Sequence, residues 1–417
     1  MRRRVWVLLL CGGQAALWGQ TQVLDWFNLF STEPGGLRLY SLSGTASYYS
    51  VGLPYGYASI PPGAPLEAAW GAGGAGAMGW SHQRDVSSAA VSYAASYGTQ
   101  SGYTGLRALN QSLSADWQKK LPARWNLSVI AHAAVDTRDQ YVFATAPATQ
   151  GSFDNPAAEP LGRLLYGNRV FLGQLTAKLS YQQSERLTWN FTVYGLRAQG
   201  LPEAQGEQGG SLLSASTSVS IEARMRYVLS PRTKLNFVVE EMRTVSRIED
   251  IYVTRGTAGI SHALSQHWQT DVYAGGSQIS PLRQIYYPNS VAGYVAGGSL
   301  GFQSYSHTIS ASVSRQVGDA YGLGAANSLM GRMSWNWRRP GNAWWLGAEF
   351  AWQRLNEGTN FEDWSATGAI NRALSPHFSA QLAYVYWQFS QEHPAGVLPS
   401  QSSARASVTW YPREIHR

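Results

Sequence analysis

The sequence predicts an all-β fold: a transmembrane antiparallel up-and-down β-barrel of about 18 strands, with 16 as the lower bound. Three observations carry this. Segments of about ten residues alternate apolar with polar side chains along nearly the whole chain. Short turns alternate with longer connections. Aromatic residues collect on the apolar face at the ends of segment after segment.

The chain begins with Arg2, Arg3 and Arg4, followed by an apolar run from Val5 to Cys11 and a looser Gly/Ala stretch to Gly19. A basic start before a short apolar run is the pattern of an export signal, so residues 1–19 read as a signal peptide cut near Gly19–Gln20. Cys11 is the only cysteine, and Leu10 before it is too large for a lipoprotein cleavage site. A mature chain therefore has no disulfide framework. The leader carries three of the 32 basic residues and none of the 25 acidic ones, so its loss leaves a net charge of +4. That mild balance argues against a nucleic-acid partner. Residues 20–36 read as a short periplasmic segment containing Asp25-Trp26-Phe27-Asn28-Leu29-Phe30.

From residue 37 to 411 the alternation runs without a composition break. Strands are expected near 37–50, 67–81, 86–98, 106–118, 125–136, 169–182, 187–197, 214–229, 234–243, 251–264, 268–278, 291–303, 307–317, 325–337, 343–354, 362–374, 378–389 and 401–411. The fifth shows the rule. Trp125, Leu127, Val129, Ala131, Ala133 and Val135 share one parity, and Asn126, Ser128, His132 and Asp136 share the other. Successive side chains of a strand point to opposite faces, so each segment has an apolar side and a polar side. The first three segments are rich in Gly and Ala and show the weakest pattern. Residues 412–417 form a tail.

The short connections include Ser184-Glu185-Arg186, Ser230-Pro231-Arg232, Ser265-Gln266-His267, Arg339-Pro340-Gly341 and Ser375-Pro376-His377. Three share a Leu-Ser-x-(Arg/His) form, at Leu229, Leu264 and Leu374. The other connections are longer and carry more Gly and Pro. The longest, 137–168, holds Arg138, Asp139, Asp154, Glu159 and Arg163, with Arg169 opening the segment that follows.

Composition excludes other classes. The chain is 14% charged, against roughly 25% for a soluble domain. No apolar run after the leader reaches the roughly 18 residues of a membrane-spanning helix. The 17 Trp and 23 Tyr are high, and their placement matters more than their number. Trp117, Trp125, Tyr181, Trp189, Tyr227, Trp268, Phe302, Trp335, Trp344, Phe378 and Trp410 sit beside short turns on the apolar face. Tyr48, Tyr97, Phe171, Tyr252, Tyr294, Trp352, Trp364 and Tyr386 sit near the longer loops. Two such belts are the expected girdles at the two headgroup levels.

These features together resemble the bacterial outer-membrane β-barrels, the porin-like class in the broad sense. The resemblance implies export to the outer membrane, periplasmic short turns, contact with outer-membrane lipids and insertion by the barrel-assembly machinery. It departs at the C-terminus, where Trp410-Tyr411 is followed by six more residues instead of ending the chain. It differs from the TonB-dependent transporters, because only about fifteen residues separate the cleavage site from the first strand, too few for a plug.

Inward parity collects Lys178, Glu222, Arg224, Arg226, Arg332, Glu349 and Arg405 among many Ser, Thr, Asn and Gln. A low-dielectric wall carrying more basic than acidic groups favours anions. The expected function is a passive channel for small anions or an exit route for an acidic polysaccharide, since the pattern resembles exopolysaccharide-export barrels as much as porins. The alternative is a non-conducting structural, adhesive or surface-assembly barrel acting through its outer loops, with Glu222 and the nearby arginines pairing to fill the lumen. In barrels resembling the general porins the loop in the position of 137–168 folds inward and narrows the pore, and here an inward course and an ordinary surface loop both stay open. No Gly-x-Ser-x-Gly elbow and no His/Glu metal spacing stands out, and His262 lies alone on an apolar face. The chain therefore reads as a non-enzyme with no cofactor and no metal. The oligomeric state stays open.

Overall fold

The structure, a computed structural model, describes residues 36–50, 68–101, 107–137, 169–201, 215–247, 249–284, 291–319, 325–339, 341–356, 361–389 and 400–412. The signal segment, the stretch up to residue 35, the loop 138–168 and the tail from 413 lie outside them.

Among the described residues the chain forms β1 (Leu37–Tyr49), β2 (Ala69–Gln83), β3 (Ser87–Gln100), β4 (Arg107–Leu121), β5 (Trp125–Thr137) and β6 (Arg169–Gln182). There follow β7 (Leu187–Gly200), β8 (Ser216–Ser230), β9 (Thr233–Ser246), β10 (Glu249–Ala263), β11 (Trp268–Gln284) and β12 (Val291–Gln303). The last six are β13 (His307–Asp319), β14 (Ala325–Arg338), β15 (Trp344–Asn356), β16 (Phe361–Ala373), β17 (Phe378–Phe389) and β18 (Gln401–Trp410). They make one 18-stranded antiparallel sheet in which each strand pairs with its neighbours in sequence. β1 also pairs with β18, Leu42 opposite Trp410 through Tyr49 opposite Ser403, and this seam closes the barrel. Closure removes the unpaired edges that an open sheet of this size would expose.

The two faces follow the sequence parity. In β8, Ser216, Ser218, Ser220, Glu222 and Arg224 point inward and are buried, whereas Val219 and Ile221 point outward and are exposed, Ile221 by 62%. Val239 and Val272 are each 56% exposed on the same outer face. A soluble protein would hide these side chains. Here the buried side is polar and the exposed side is apolar, the inverse of a water-soluble sheet.

The short turns repeat one device. The hydroxyl of Ser265 accepts the N–H of His267 and of Trp268, each at 3.1 Å. Ser230 does the same for Arg232 and Thr233, Ser375 for His377 and Phe378, and Ser184 for Arg186 and Leu187. A serine that satisfies two turn amides explains why Leu-Ser-x-(Arg/His) recurs at these places. Each turn also ties to the next hairpin. His267 accepts from Gln303 N–H with its carbonyl at 2.8 Å, and its Nδ1 lies 2.8 Å from the Gln303 carbonyl. His377 and Tyr411 repeat this pairing. The turn at 339–343 instead uses Gly341 at φ +78°, a conformation that disfavours residues with a Cβ.

Strand–strand spacing is fixed by small residues at two positions. The Tyr273 ring lies across Gly297, where a Cβ would meet it at 2.6 Å. At Gly275 the backbone of Gly256 and Thr257 leaves no room for a Cβ. Near the seam, β2 carries Gly or Ala on both faces, and Tyr40, Ala90 and Ala94 pack against the buried Ala77.

Several strands run further toward the long-loop end than the alternation suggests. β11 continues to Gln284, with Pro281 at a register shift against Asp250 and Ile251. β9 and β10 extend until only Arg247 and Ile248 join them. The expectation of uniformly long connections at this end therefore fails at one hairpin. There the ladder outlasts the alternation, because the Arg243–Asp250 ion pair at 2.7 Å and the Glu241–Tyr252 hydrogen bond hold the strands together.

Candidate functional site

The site is the inner wall. Cross-strand partners share a face, so the register assigns every described residue to the lumen or to the outside. Lys178, Thr192, Glu222, Glu240, Arg255 and Ser277 fall in one inward row across β6 to β11. Arg226 lies four residues below Glu222 on β8, Arg332 on β14, Glu349 on β15 and Arg405 on β18 between Ser47 and Ala383.

These charges are not equivalent. Arg224 Nη2 contacts Glu222 Oε1 at 3.1 Å, with 5% and 11% of the two side chains exposed. Arg332 grips Glu349 through Nε and Nη2, each at 3.0 Å. Such a planar fork is the strongest geometry available to the pair. Arg255 pairs with Glu240 on the adjacent strand. Arg224 and Arg332 thus face inward, but each is neutralised by a carboxylate. Arg226 is exposed and its Nε donates to Asn236 Oδ1 at 3.4 Å, while Asn236 Nδ2 donates to Ser261 Oγ at 3.0 Å. Lys178 is half-buried.

Reading the sequence alone misses the Glu240–Arg255 pair, because the partners are 15 residues apart and only register brings them together. Asp116, Asp271 and Arg38 also have inward parity and were not singled out. The parity of their strands is the signal that finds them.

The wall offers little for covalent chemistry. Ser114 Oγ lies 2.8 Å from His132 Nδ1, but Ser114 is 2% exposed, which denies a substrate access to the hydroxyl. Gly297-Gly298-Ser299-Leu300-Gly301 spells a Gly-x-Ser-x-Gly pattern but runs straight along β12 without the sharp turn an elbow requires. His262 faces outward, with Nδ1 2.9 Å from Thr233 Oγ1. Among the described residues no cluster of three or more His, Cys, Asp or Glu could hold a metal ion.

The outer face carries the aromatic belts. Trp117, Trp125, Tyr181, Trp189, Tyr227, Trp268, Trp335, Trp344, Phe378 and Trp410 all have outward parity at the short-turn end. Trp125 stacks on Tyr181 at 4.4 Å and Trp268 packs on Phe302 at 4.8 Å, each pair directly opposite across a ladder. Indole N–H groups find partners at this level: Trp189 donates to Gln183 Oε1 at 2.9 Å and Trp335 to His307 Nδ1 at 3.2 Å. The opposite belt includes Trp364 against Tyr386 at 5.1 Å. Rings with apolar bodies and satisfied polar tips, bracketing an exposed aliphatic band, match the two interfaces of a bilayer.

No family model matches the chain, and no curated protein does. Solved structures similar to it include OccK3 (OpdO) of Pseudomonas aeruginosa, at 10% identity and TM-score 0.45 over 90% of this chain and 95% of that one. OccK9 (OpdG) of the same organism gives 10% and 0.47 over 90% and 97%. OccAB4 of Acinetobacter baumannii gives 8% and 0.45 over 89% and 97%. The chain is a bacterial outer-membrane β-barrel of porin-like architecture. That conclusion rests on the closed ladder and the inverted faces, and these distant likenesses add no substrate to it.

The resemblance to outer-membrane barrels leads us to expect the serine turns at the periplasmic end. Cysteines replacing Ser230, Ser265 or Ser375 are expected to resist a membrane-impermeant thiol reagent on whole cells, while cysteines replacing Gly206 or Pro394 react. The reverse labelling pattern would overturn the orientation.

Proposed function

We propose that the barrel is a passive channel for small solutes, biased toward anions by Arg226 and Lys178. The observation that carries this reading is the division of lumen charges. Three arginines are held by carboxylates, whereas Arg226 on β8 and Lys178 on β6, with β7 between them, stand outside those ion pairs. Charge on a low-dielectric wall raises the local concentration of its counter-ion. The arginine-lined track that would suit an acidic polysaccharide is weakened, because Arg224 and Arg332 are spent on Glu222 and Glu349. Small anions are therefore the preferred cargo.

Planar-bilayer recording tests this. The double substitution Arg226→Glu and Lys178→Glu should move the zero-current potential toward cations in a salt gradient. The shift should grow in dilute salt, because screening acts over about 8–10 Å at physiological strength. Arg332→Glu is not an equivalent probe, since it breaks an ion pair as well as reversing a charge. Deletion of 145–160 should raise conductance if that loop narrows the passage. A folded barrel that passes no current even without the loop would eliminate the channel and leave the structural role.

A further inference from the structure

The short turns share one backbone contact, and the residue that makes it is basic along only part of the rim. The residue just before each returning strand offers its carbonyl to an N–H on the strand that enters the next turn. In three consecutive turns that residue is an arginine. Arg124 accepts from Gln182 at 3.1 Å, Arg186 from Val228 at 2.7 Å and Arg232 from Ala263 at 2.8 Å. Elsewhere around the rim the same place holds Val86, Ser306, Ala343 or a histidine. Two of the arginines are pinned from the other side as well, since the hydroxyls of Ser184 and Ser230 accept the amides of Arg186 and Arg232. All three side chains are exposed. Arg124 gives one guanidinium N–H to the Gln183 carbonyl at 3.2 Å. Lys119 and Lys120 near the end of β4 and Lys234 near the start of β9 are exposed beside them. Glu185 is the only acidic residue in these three turns, and among the described residues it forms an ion pair with none of the cations.

Successive turns are two strand widths apart, about 12 Å along the rim once the strand tilt is included, so the three arginines span about 25 Å. An extended polypeptide matches this row. Residues four apart in it lie on one face about 13 Å from each other, and about nine residues cover the span. Because the turn backbone is already fixed, docking orders only the arginine side chains and the incoming segment. We propose that the rim formed by the turns after β4, β6 and β8 docks an extended acidic segment of another protein, with carboxylates four residues apart opposite Arg124, Arg186 and Arg232. That protein lies in the compartment the turns face. Lipid headgroups reach only the outward side, whereas Lys120 and Lys234 have inward parity and the arginines stand in the turns beyond Trp125, Trp189 and Tyr227. An acidic polymer passing through the lumen would need the basic track to continue inward, and above Arg226 it meets Arg224 and Arg255 already held by Glu222 and Glu240. The docking surface is independent of whether the barrel conducts.

The test uses the full barrel in an uncharged detergent and two peptides of about nine residues, built from threonine and glutamate and followed by fluorescence anisotropy. One carries a glutamate at each end and one at its centre, and the other carries the same glutamates side by side. The spaced peptide should bind the wild type about tenfold more tightly than it binds Arg124→Gln/Arg186→Gln/Arg232→Gln, the combined loss of three modest surface contacts. Arg338→Gln/Arg339→Gln/Arg372→Gln removes as many exposed arginines from the opposite side of the same end and should change affinity less than about twofold. Equal affinity in the wild type and the first variant would overturn the proposal. So would an equal loss in both variants, or no preference for the spaced peptide, since either means diffuse charge attraction. Tighter binding of an oligogalacturonate of equal length would assign the rim to an acidic polysaccharide and refute the protein partner. Displacement of the peptide by phosphatidylglycerol added to the micelle would assign it to lipid headgroups with the same consequence. If the triple variant does not fold, Arg186→Gln alone should weaken the spaced peptide about twofold to threefold, and undiminished binding in that protein would equally overturn the assignment.

Discussion

Replacing Arg332 with alanine is expected to destabilise the barrel by about 3–5 kcal/mol, measured by denaturant unfolding in lipid or detergent. The substitution strands Glu349, whose side chain is only 13% exposed, without its bidentate partner. An uncompensated carboxylate at that level loses most of its solvation and regains nothing. Removing both partners, as Arg332→Leu/Glu349→Leu, should restore most of the loss, because no charge is then left alone. The experiment also reports on the lumen. A loss below about 1 kcal/mol would show that water screens the pair as it screens a surface salt bridge, and that the passage is wide and wet at Arg332.

Val129→Arg should cost about 2–4 kcal/mol, whereas Ser128→Arg, one residue away, should change stability far less. Val129 faces lipid near the middle of β5, opposite Trp117 and Ala177, while Ser128 faces the lumen beside Lys178. Ile221→Arg on β8 should behave like Val129→Arg, since Ile221 is 62% exposed to the acyl chains. Ser220 does not make the matching control. It is 5% exposed, so a large side chain there would be overpacked despite its polar surroundings. Equal costs at Val129 and Ser128 would mean the inward and outward parities are wrong.

Most of the barrel is legible in the sequence because the bilayer imposes one rule on every strand, outward apolar and inward polar. That rule recovers β6, β12 and β17 from end to end. It gives out at the outer ends of β9, β10 and β11, where Ile251, Val253 and Ile279 form a buried apolar cluster on the inward face and Glu241, Arg243 and Tyr252 take the outward positions, so polarity no longer marks the face. The lumen is legible residue by residue but not pair by pair. Parity places Glu222, Arg224, Arg226, Arg332 and Glu349 inside, but whether an arginine meets solvent or a carboxylate depends on register. A shift of two residues preserves parity and changes every partner. Glu222 and Arg224 are two residues apart on one strand and are visible as a pair in the sequence, whereas Glu240 and Arg255 are not.

The seam between β1 and β18 separates two kinds of contact in time as well as in space. Every other pairing joins strands adjacent in sequence and closes a far shorter loop, whereas the seam brings together residues such as Tyr49 and Ser403. Ser50 and Ser402 clasp across it through two hydrogen bonds, each 2.8 Å long. Closing a loop of that length instead of a hairpin costs roughly 3 kcal/mol more in chain entropy. The hairpins can therefore form one after another while the ends remain apart. The last event of assembly is the meeting of two edges that, until then, are open templates for any other strand. The Gly- and Ala-rich β2 beside the seam places a flexible, thin-walled segment where the sheet must bend to let those edges find each other.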